Sequence, residues 1–158
     1  MRKLVSLLLA LALIMGCFAA CGGGGEVAEE NAYKIGIITG TVSQGEEEYQ
    51  AAQNAKAKYG DMIVTATYPD NFSTETEATI AQVVGLASDP EVKAIVFVQA
   101  VPGAAAAIDK VRETRPDMLF IAGVVAEDPA TIASKADICM LVDEISMGTA
   151  VKIGRAHV

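Results

Sequence analysis

The sequence predicts an α/β fold: a doubly wound, five-stranded parallel sheet with helices on both faces. Three observations predict it. Short apolar runs alternate with helical periods from Tyr33 onward, the pattern of strands and helices laid down in turn. The run Ile95-Val96-Phe97-Val98 is apolar at every position, as a strand covered on both faces should be. The joins are short, and right-handed crossovers then fix most of the topology. The order expected is 2-1-3-4-5, the flavodoxin-like arrangement.

Each element has its own signal. The runs 34–39, 62–67, 94–99, 118–122 and 138–142 read as the five strands. Between the second and third, Ile80, Val83, Val84 and Ala87 recur at i, i+3, i+4 and i+7, one face of a helix. Thr74-Glu75-Thr76-Glu77 supplies a capping box before it. Ala104, Ala107, Ile108 and Val111 form a second stripe, opened by Pro102-Gly103. Asp128-Pro129 starts a shorter helix, with Asp as cap and Pro in the first turn. From about Asp143 a further helix begins.

The turn TGTVSQGEEEY, 39–49, places Gly40 and Gly45 at the spacing of a phosphate loop. A Walker loop also needs a Lys and a Ser or Thr after its second glycine, for the phosphates and magnesium. Here Glu46-Glu47-Glu48 follow, and three carboxylates would repel phosphate. The spacing Gly-x-Gly-x-x-Gly is missing too, because the glycines fall at 36, 40 and 45. The stretch fits a helix start instead. Ser43 and Glu46 stand as a capping box, and the glutamates offset the helix dipole.

In open parallel sheets small molecules bind beyond the carboxyl ends of the strands. The residues that would wall such a crevice are Thr39, Gly40, Thr41, Tyr68, Gln99, Gly123 and Asp143. Pro69, Asp70, Val101, Val124 and Glu144 stand beside them. The polar members are hydrogen-bonding groups suited to a neutral or zwitterionic solute. Thr41 and Ser43 also fit a cap, Asp70 a turn, and Asp143 the start of the last helix. Gln99 has no such local explanation, since it ends a strand that is otherwise apolar.

Composition narrows the function. The formal net charge of −8 becomes −10 once Arg2 and Lys3 are set aside with the leader. That argues against nucleic acid, which needs a basic face. Beyond the leader and the lipobox cysteine Cys21, Cys139 stands alone, so neither a disulfide framework nor a cysteine-rich metal site is expected. No cofactor and no metal are expected. A nucleophilic triad needs a histidine base, and the single one, His157, falls in the tail. The carboxylate pairs Glu127-Asp128 and Asp143-Glu144 are sequence neighbours with capping explanations. No catalytic residues are assigned.

The ends are read separately. Arg2 and Lys3 precede an apolar run over 4–15, too short to span a bilayer, and small residues lead to Cys21. Residues 1–20 are expected to be a signal peptide. Phe18-Ala19-Ala20-Cys21 resembles the lipobox of bacterial lipoproteins, which implies a lipid on Cys21. Cys17, after Ile14-Met15-Gly16, fits that pattern as well. Residues 21–32, glycine-rich and then acidic, read as a tether. At the other end, 153–158 back-translates as a common sequencing-library adapter, so 152–158 is expected to be a non-native tail.

YKIGIITG at 33–40, SDPEVKAIVFVQ at 88–99 and ADICMLVD at 136–143 together resemble the amino-terminal lobe of type I periplasmic binding proteins. The chain is similar to uncharacterised Gram-positive lipoproteins of that fold, and more distantly to nucleoside-binding basic membrane lipoproteins. The resemblance covers 33–151. It implies one lobe of a two-lobed, membrane-anchored receptor on the extracytoplasmic face, trapping a small solute for an ABC-type permease or a sensor. The other reading is a cell-surface enzyme or a ligand-sensing regulator domain on the same fold. An enzyme would need a general base. A repressor-like regulator would need a DNA-binding head at the amino terminus, where the signal stands.

Overall fold

The computed structural model describes residues 33–141 together with Asp143 and Ser146. Its elements are β1 (Lys34–Thr39), α1 (Val42–Tyr59), β2 (Ile63–Thr67), α2 (Thr76–Ala87), β3 (Val92–Ala100), α3 (Ala104–Arg112), β4 (Leu119–Val125), α4 (Pro129–Ala133) and β5 (Ile138–Cys139). The strands form one five-stranded sheet in the order β2-β1-β3-β4-β5, and every neighbouring pair is parallel. This is the order that crossover handedness predicts. β3 is longer than its apolar run, and the expected end of β5 at Val142 lies outside the described residues.

Register explains which face is wet. Ile38, Phe97, Ala122 and Cys139 lie in one row across β1, β3, β4 and β5. Ile38, Phe97 and Ala122 of this row are buried under α2, α3 and α4, where Phe97 stacks on Phe120 at 6.1 Å between ring centres. Burying each such large side chain contributes about 1.5–3 kcal/mol. The alternate row is Ile37, Val96, Ile121 and Ile138. α1 covers β1 and β2 on that side, whereas Ile138 is 53% exposed and Leu119 is 54% exposed.

Three expected helix features differ. α1 is broken at Gly45, whose φ of −166° and ψ of 84° are extended, so the continuous helix starts at Glu46. The box predicted from Ser43 and Glu46 is replaced by Thr41 and Gln44: the Thr41 amide donates to Gln44 Oε1 at 3.2 Å. The box predicted from Thr74 and Glu77 does not form. Thr74 Oγ1 turns back to donate to the Asn71 carbonyl at 3.2 Å, and α2 starts after Glu75 with no side-chain cap. The buried face of α2 is Thr79, Val83, Leu86 and Ala87, while Val84 is exposed. This face is displaced from the predicted stripe because α2 packs against α3 as well as the sheet.

The remaining helices follow prediction. In α3, Ala104, Ala107, Ile108 and Val111 are all buried. Gly103 before it has φ of 99°, and a Cβ there would lie 3.0 Å from the Thr76 carbonyl oxygen. Left-handed backbone and a close helix neighbour both demand glycine. Asp128 caps α4 by accepting from the Thr131 amide at 2.8 Å, with Pro129 in the first turn.

The amino edge of the sheet is pinned by a residue that sequence reasoning did not single out. The Arg115 guanidinium donates to the backbone carbonyls of Ala87 at 3.1 Å and Val92 at 2.8 Å. Beside it, Lys34 pairs with Asp89 at 3.0 Å and Glu91 at 2.6 Å. Glu91 and then Asp89 hold the Lys34 ammonium above its ordinary range, and the Glu91 amide and then Lys34 hold the Asp89 carboxyl below its own.

Candidate functional site

The strands all point their carboxyl ends to one rim, and the predicted residues gather there to different degrees. Thr39 is buried, and its hydroxyl donates to the Gly40 carbonyl at 2.8 Å. The turn that follows is joined to the loop after β2. Thr41 Oγ1 donates to Asp70 Oδ1 at 2.5 Å and Ser43 Oγ donates to the same oxygen at 3.0 Å. Gln44 Nε2 donates to the carbonyls of Pro69 at 3.2 Å and Asp70 at 2.6 Å. The two hydroxyls hold the Asp70 carboxyl below its usual range. Gly40 is buried beneath this lattice, with Gln44 against the position a Cβ would take, at 3.1 Å.

Tyr68 does not wall a crevice. It is 1% exposed, its ring belongs to the core, and its hydroxyl donates to the Gln99 backbone carbonyl. Burial, and then the charge of Glu48, push the phenol well above its usual range. Its role is to tie the end of β2 to the end of β3.

Gln99 sits where its lack of a local explanation suggested. Its side chain is half-buried at the rim, and Nε2 donates to Glu48 Oε1 at 2.9 Å. Beside this pair a groove of about 380 Å³ opens between α1 and the sheet, lined by Ile37, Ala51, Ala52, Val96, Val98, Glu47 and Glu48. Glu48 was not among the predicted site residues. It was read only as a partner of the helix dipole, and the fifty-one positions that separate it from Gln99 hide their contact.

Gly123 is at the rim for a packing reason. A Cβ built on it would stand 2.4 Å from the Val98 carbonyl oxygen and 3.0 Å from that of Phe97. Backbone approaches there too closely for any side chain. Asp143 is exposed and behaves as a cap, accepting from the Ser146 amide at 3.0 Å and its hydroxyl at 2.6 Å. Glu127 is likewise a cap, but of a distant helix: its Oε2 accepts from the Ala105 amide at 3.1 Å. The signal for that contact was the bare start of α3, where Val101-Pro102-Gly103 offers no Ser, Thr, Asp or Asn to the first amides. Asp128 is held below its usual range by the Thr131 hydroxyl and amide. Among the described residues no group of three or more His, Cys, Asp or Glu could hold a metal ion.

What survives as a site is therefore compact: the lattice of Thr41, Ser43, Gln44 and Asp70, the Gln99–Glu48 pair, and the groove beside them. It offers hydrogen-bond acceptors and an apolar wall.

The family described as "Protein of unknown function (DUF3798)" matches residues 33–157. The chain belongs to this family. The DUF3798 chain is 33% identical over 142 residues to an uncharacterised protein of Treponema pallidum (strain Nichols), covering 81% of this chain and 63% of that relative. A second uncharacterised Treponema pallidum protein is 41% identical over 66 residues, 42% of this chain and 31% of its own. The chain thus spans less than two thirds of the length of these relatives. Among solved structures, a candidate transcriptional regulator from Clostridium difficile 630 superposes with a TM-score of 0.61 at 26% identity, over 68% of this chain and 33% of that one.

That likeness overturns one expectation. The sequence predicts for this DUF3798 member a solute-binding lipoprotein serving an ABC-type permease or a sensor; a solved structure it matches in both sequence and fold is described as a candidate transcriptional regulator. The transport assignment is therefore withdrawn. The physical reason is that receptors and sensors of this class present the same rim, so the strand-end residues do not discriminate them. Among the described residues no helix is long and apolar enough to cross a membrane. The signal peptide, the lipidation at Cys21 or Cys17, the tether and the tail with His157 lie outside the described residues.

Proposed function

We propose that this domain is the ligand-sensing part of a regulatory protein, taking a small effector at the carboxyl rim of its sheet. The observation that carries the reading is the likeness to the candidate transcriptional regulator, at 26% identity and a TM-score of 0.61. The site supports it. Thr41, Ser43 and Asp70 join two loops, and Gln99 bonds to Glu48 across to α1. An effector that replaced any of these hydrogen bonds would change how α1 and two strand ends are held together. A sensor needs that kind of coupling between binding and shape.

The chain covers 33% of the regulator's length and 63% of its Treponema relative's. We read it as one lobe of a larger sensor, with the output carried elsewhere in such a protein. The full chain's net charge of −8 suits a partner other than nucleic acid.

The test is thermal unfolding of the 158-residue protein against a panel of nucleosides, sugars, amino acids and amines, each compound assayed afterwards for chemical change. A cognate effector at a hundredfold excess over its Kd is expected to stabilise by about 2.7 kcal/mol and to be recovered unaltered. Turnover of a compound would replace the sensor reading with an enzyme. A panel without any stabilising compound would remove it.

A further inference from the structure

The ties at the carboxyl rim fall into two groups, and Gly45 divides them. Before it, Thr41 and Ser43 donate to the Asp70 carboxylate, and Gln44 Nε2 donates to the Pro69 and Asp70 carbonyls. The amides of Gln44 and Gly45 both close on the Thr41 carbonyl at 3.0 Å. This turn is therefore complete in itself and rests on the loop after β2. Beyond Gly45, Gln99 Nε2 donates to Glu48 Oε1 at 2.9 Å. Among the described residues, that is the one side-chain hydrogen bond from 46–59 to another element.

The helix on the far side of Gly45 is thinly held. Ala52 is the one fully buried residue among the eighteen of α1, whereas α3 buries five of nine. Elements with few buried contacts open locally at low cost, so a single hydrogen bond weighs heavily in holding α1 to the rim. Gly45 is also what lets that bond form. Its φ of −166° is open to any residue, so the backbone does not demand glycine here. The Glu48 carboxylate does: a Cβ on Gly45 would lie 2.8 Å from Glu48 Oε2 and 3.5 Å from its Cδ. The obstructing atoms are the end of a flexible side chain, so a methyl group there would turn Glu48 aside and leave the Gln99 amide without its acceptor.

We propose that Glu48 and Gln99 form a latch that holds the continuous part of α1 to the end of β3, with Gly45 as its hinge. When the bond opens, 46–59 moves and the 41–44 turn stays on the 69–70 loop. Gly45 is a positioning residue that acts through Glu48. This rests on the sensor reading for its use and names how binding at the same rim is passed on. A group that takes the Gln99 amide from Glu48 releases the helix. A group that engages Asp70 alone shifts the loop and its turn, and leaves the helix latched.

Hydrogen exchange of the full chain at neutral pH, read together with the Gln99 side-chain amide resonances by NMR, tests the latch with no effector present. Glu48→Ala is expected to move the Gln99 resonances and to speed exchange at 50–55 about fivefold, the loss of one hydrogen bond. The Thr41 and Gln44 amides should keep their wild-type rates. Asp70→Ala should do the converse. Gly45→Ala should reproduce Glu48→Ala, and the double variant should go no further than either, because both remove the same bond. Glu48→Gln retains an acceptor oxygen and should keep the latch. The proposal is overturned if Glu48→Ala speeds Thr41 and Gln44 as much as 50–55, or if Gly45→Ala leaves the Gln99 resonances unmoved. Multiplying effects in the double variant would overturn it too. The wild type decides the matter even where a variant does not fold: a shared denaturant response of the Thr41, Gln44 and 50–55 amides would make them one body and remove the hinge. Failure of the latch leaves the sensor reading standing, whereas an empty effector panel removes that reading and leaves the latch as measured.

Discussion

At the carboxyl end of β2, Tyr68 combines a ring in the core with a hydroxyl on the Gln99 carbonyl. Replacing Tyr68 by Phe keeps the ring and leaves that carbonyl without its partner, at a cost of about 0.5–1.5 kcal/mol in urea denaturation. Unchanged stability together with lost effector binding would return Tyr68 to the ligand-contacting set. Asp70 makes a pH prediction. Its carboxyl is held below the ordinary value of 3.8 by the Thr41 and Ser43 hydroxyls. A depressed carboxyl contributes stability that is complete above the unfolded value and is lost as pH falls through the folded one. The stability difference between the wild type and Asp70→Asn should therefore be constant near neutrality and shrink as pH drops below 3.8. A pH-independent difference would contradict the role given to this loop tie. Neither role was legible beforehand. A tyrosine and an aspartate after a strand suit a ligand as well as a tie, and the choice depends on which loops the topology brings together.

Among the elements, β3 and β4 depend on a gap with no room for a side chain. Gly123→Ala would place a carbon 2.4 Å from the Val98 carbonyl oxygen, and backbone on both strands must give way. Overpacking of this kind costs about 1–3 kcal/mol, and denaturant unfolding should show it. A neutral substitution would mean that the strands separate more easily than the register implies. Strands and helices themselves were readable, because a period of two or of 3.6 is written in consecutive residues. Caps were readable only where cap and amide are sequence neighbours, as at Asp128 and Thr131. The cap on α3 comes from Glu127, twenty-two positions away from Ala105: the bare start of α3 signals a missing cap but no local pattern names Glu127 as its source. The boxes expected at Ser43 and at Thr74 failed because both hydroxyls found other partners, Asp70 and the Asn71 carbonyl.

For the whole molecule, strand order followed from crossover handedness, and with it the rim where loops of distant sequence meet. The same order separates the charges. Among the described residues, cations and their partners lie toward the amino edge, and no ion pair there uses Glu46, Glu47, Glu48 or Asp70 at the carboxyl rim. The sequence points to the rim and gives it to a solute receptor for a permease or a sensor. A fold shared by receptors and regulators leaves that choice to what surrounds the domain. Hydrogen exchange of the full chain, with and without the strongest stabilising compound of the panel, tests the central claim most directly. The account predicts slowed exchange in 40–48, 68–71 and 99–103, the segments around the rim, and little change at 89–92 and 113–118. Protection concentrated at the amino edge instead, or protection nowhere, would contradict the placement of the effector site at the carboxyl rim.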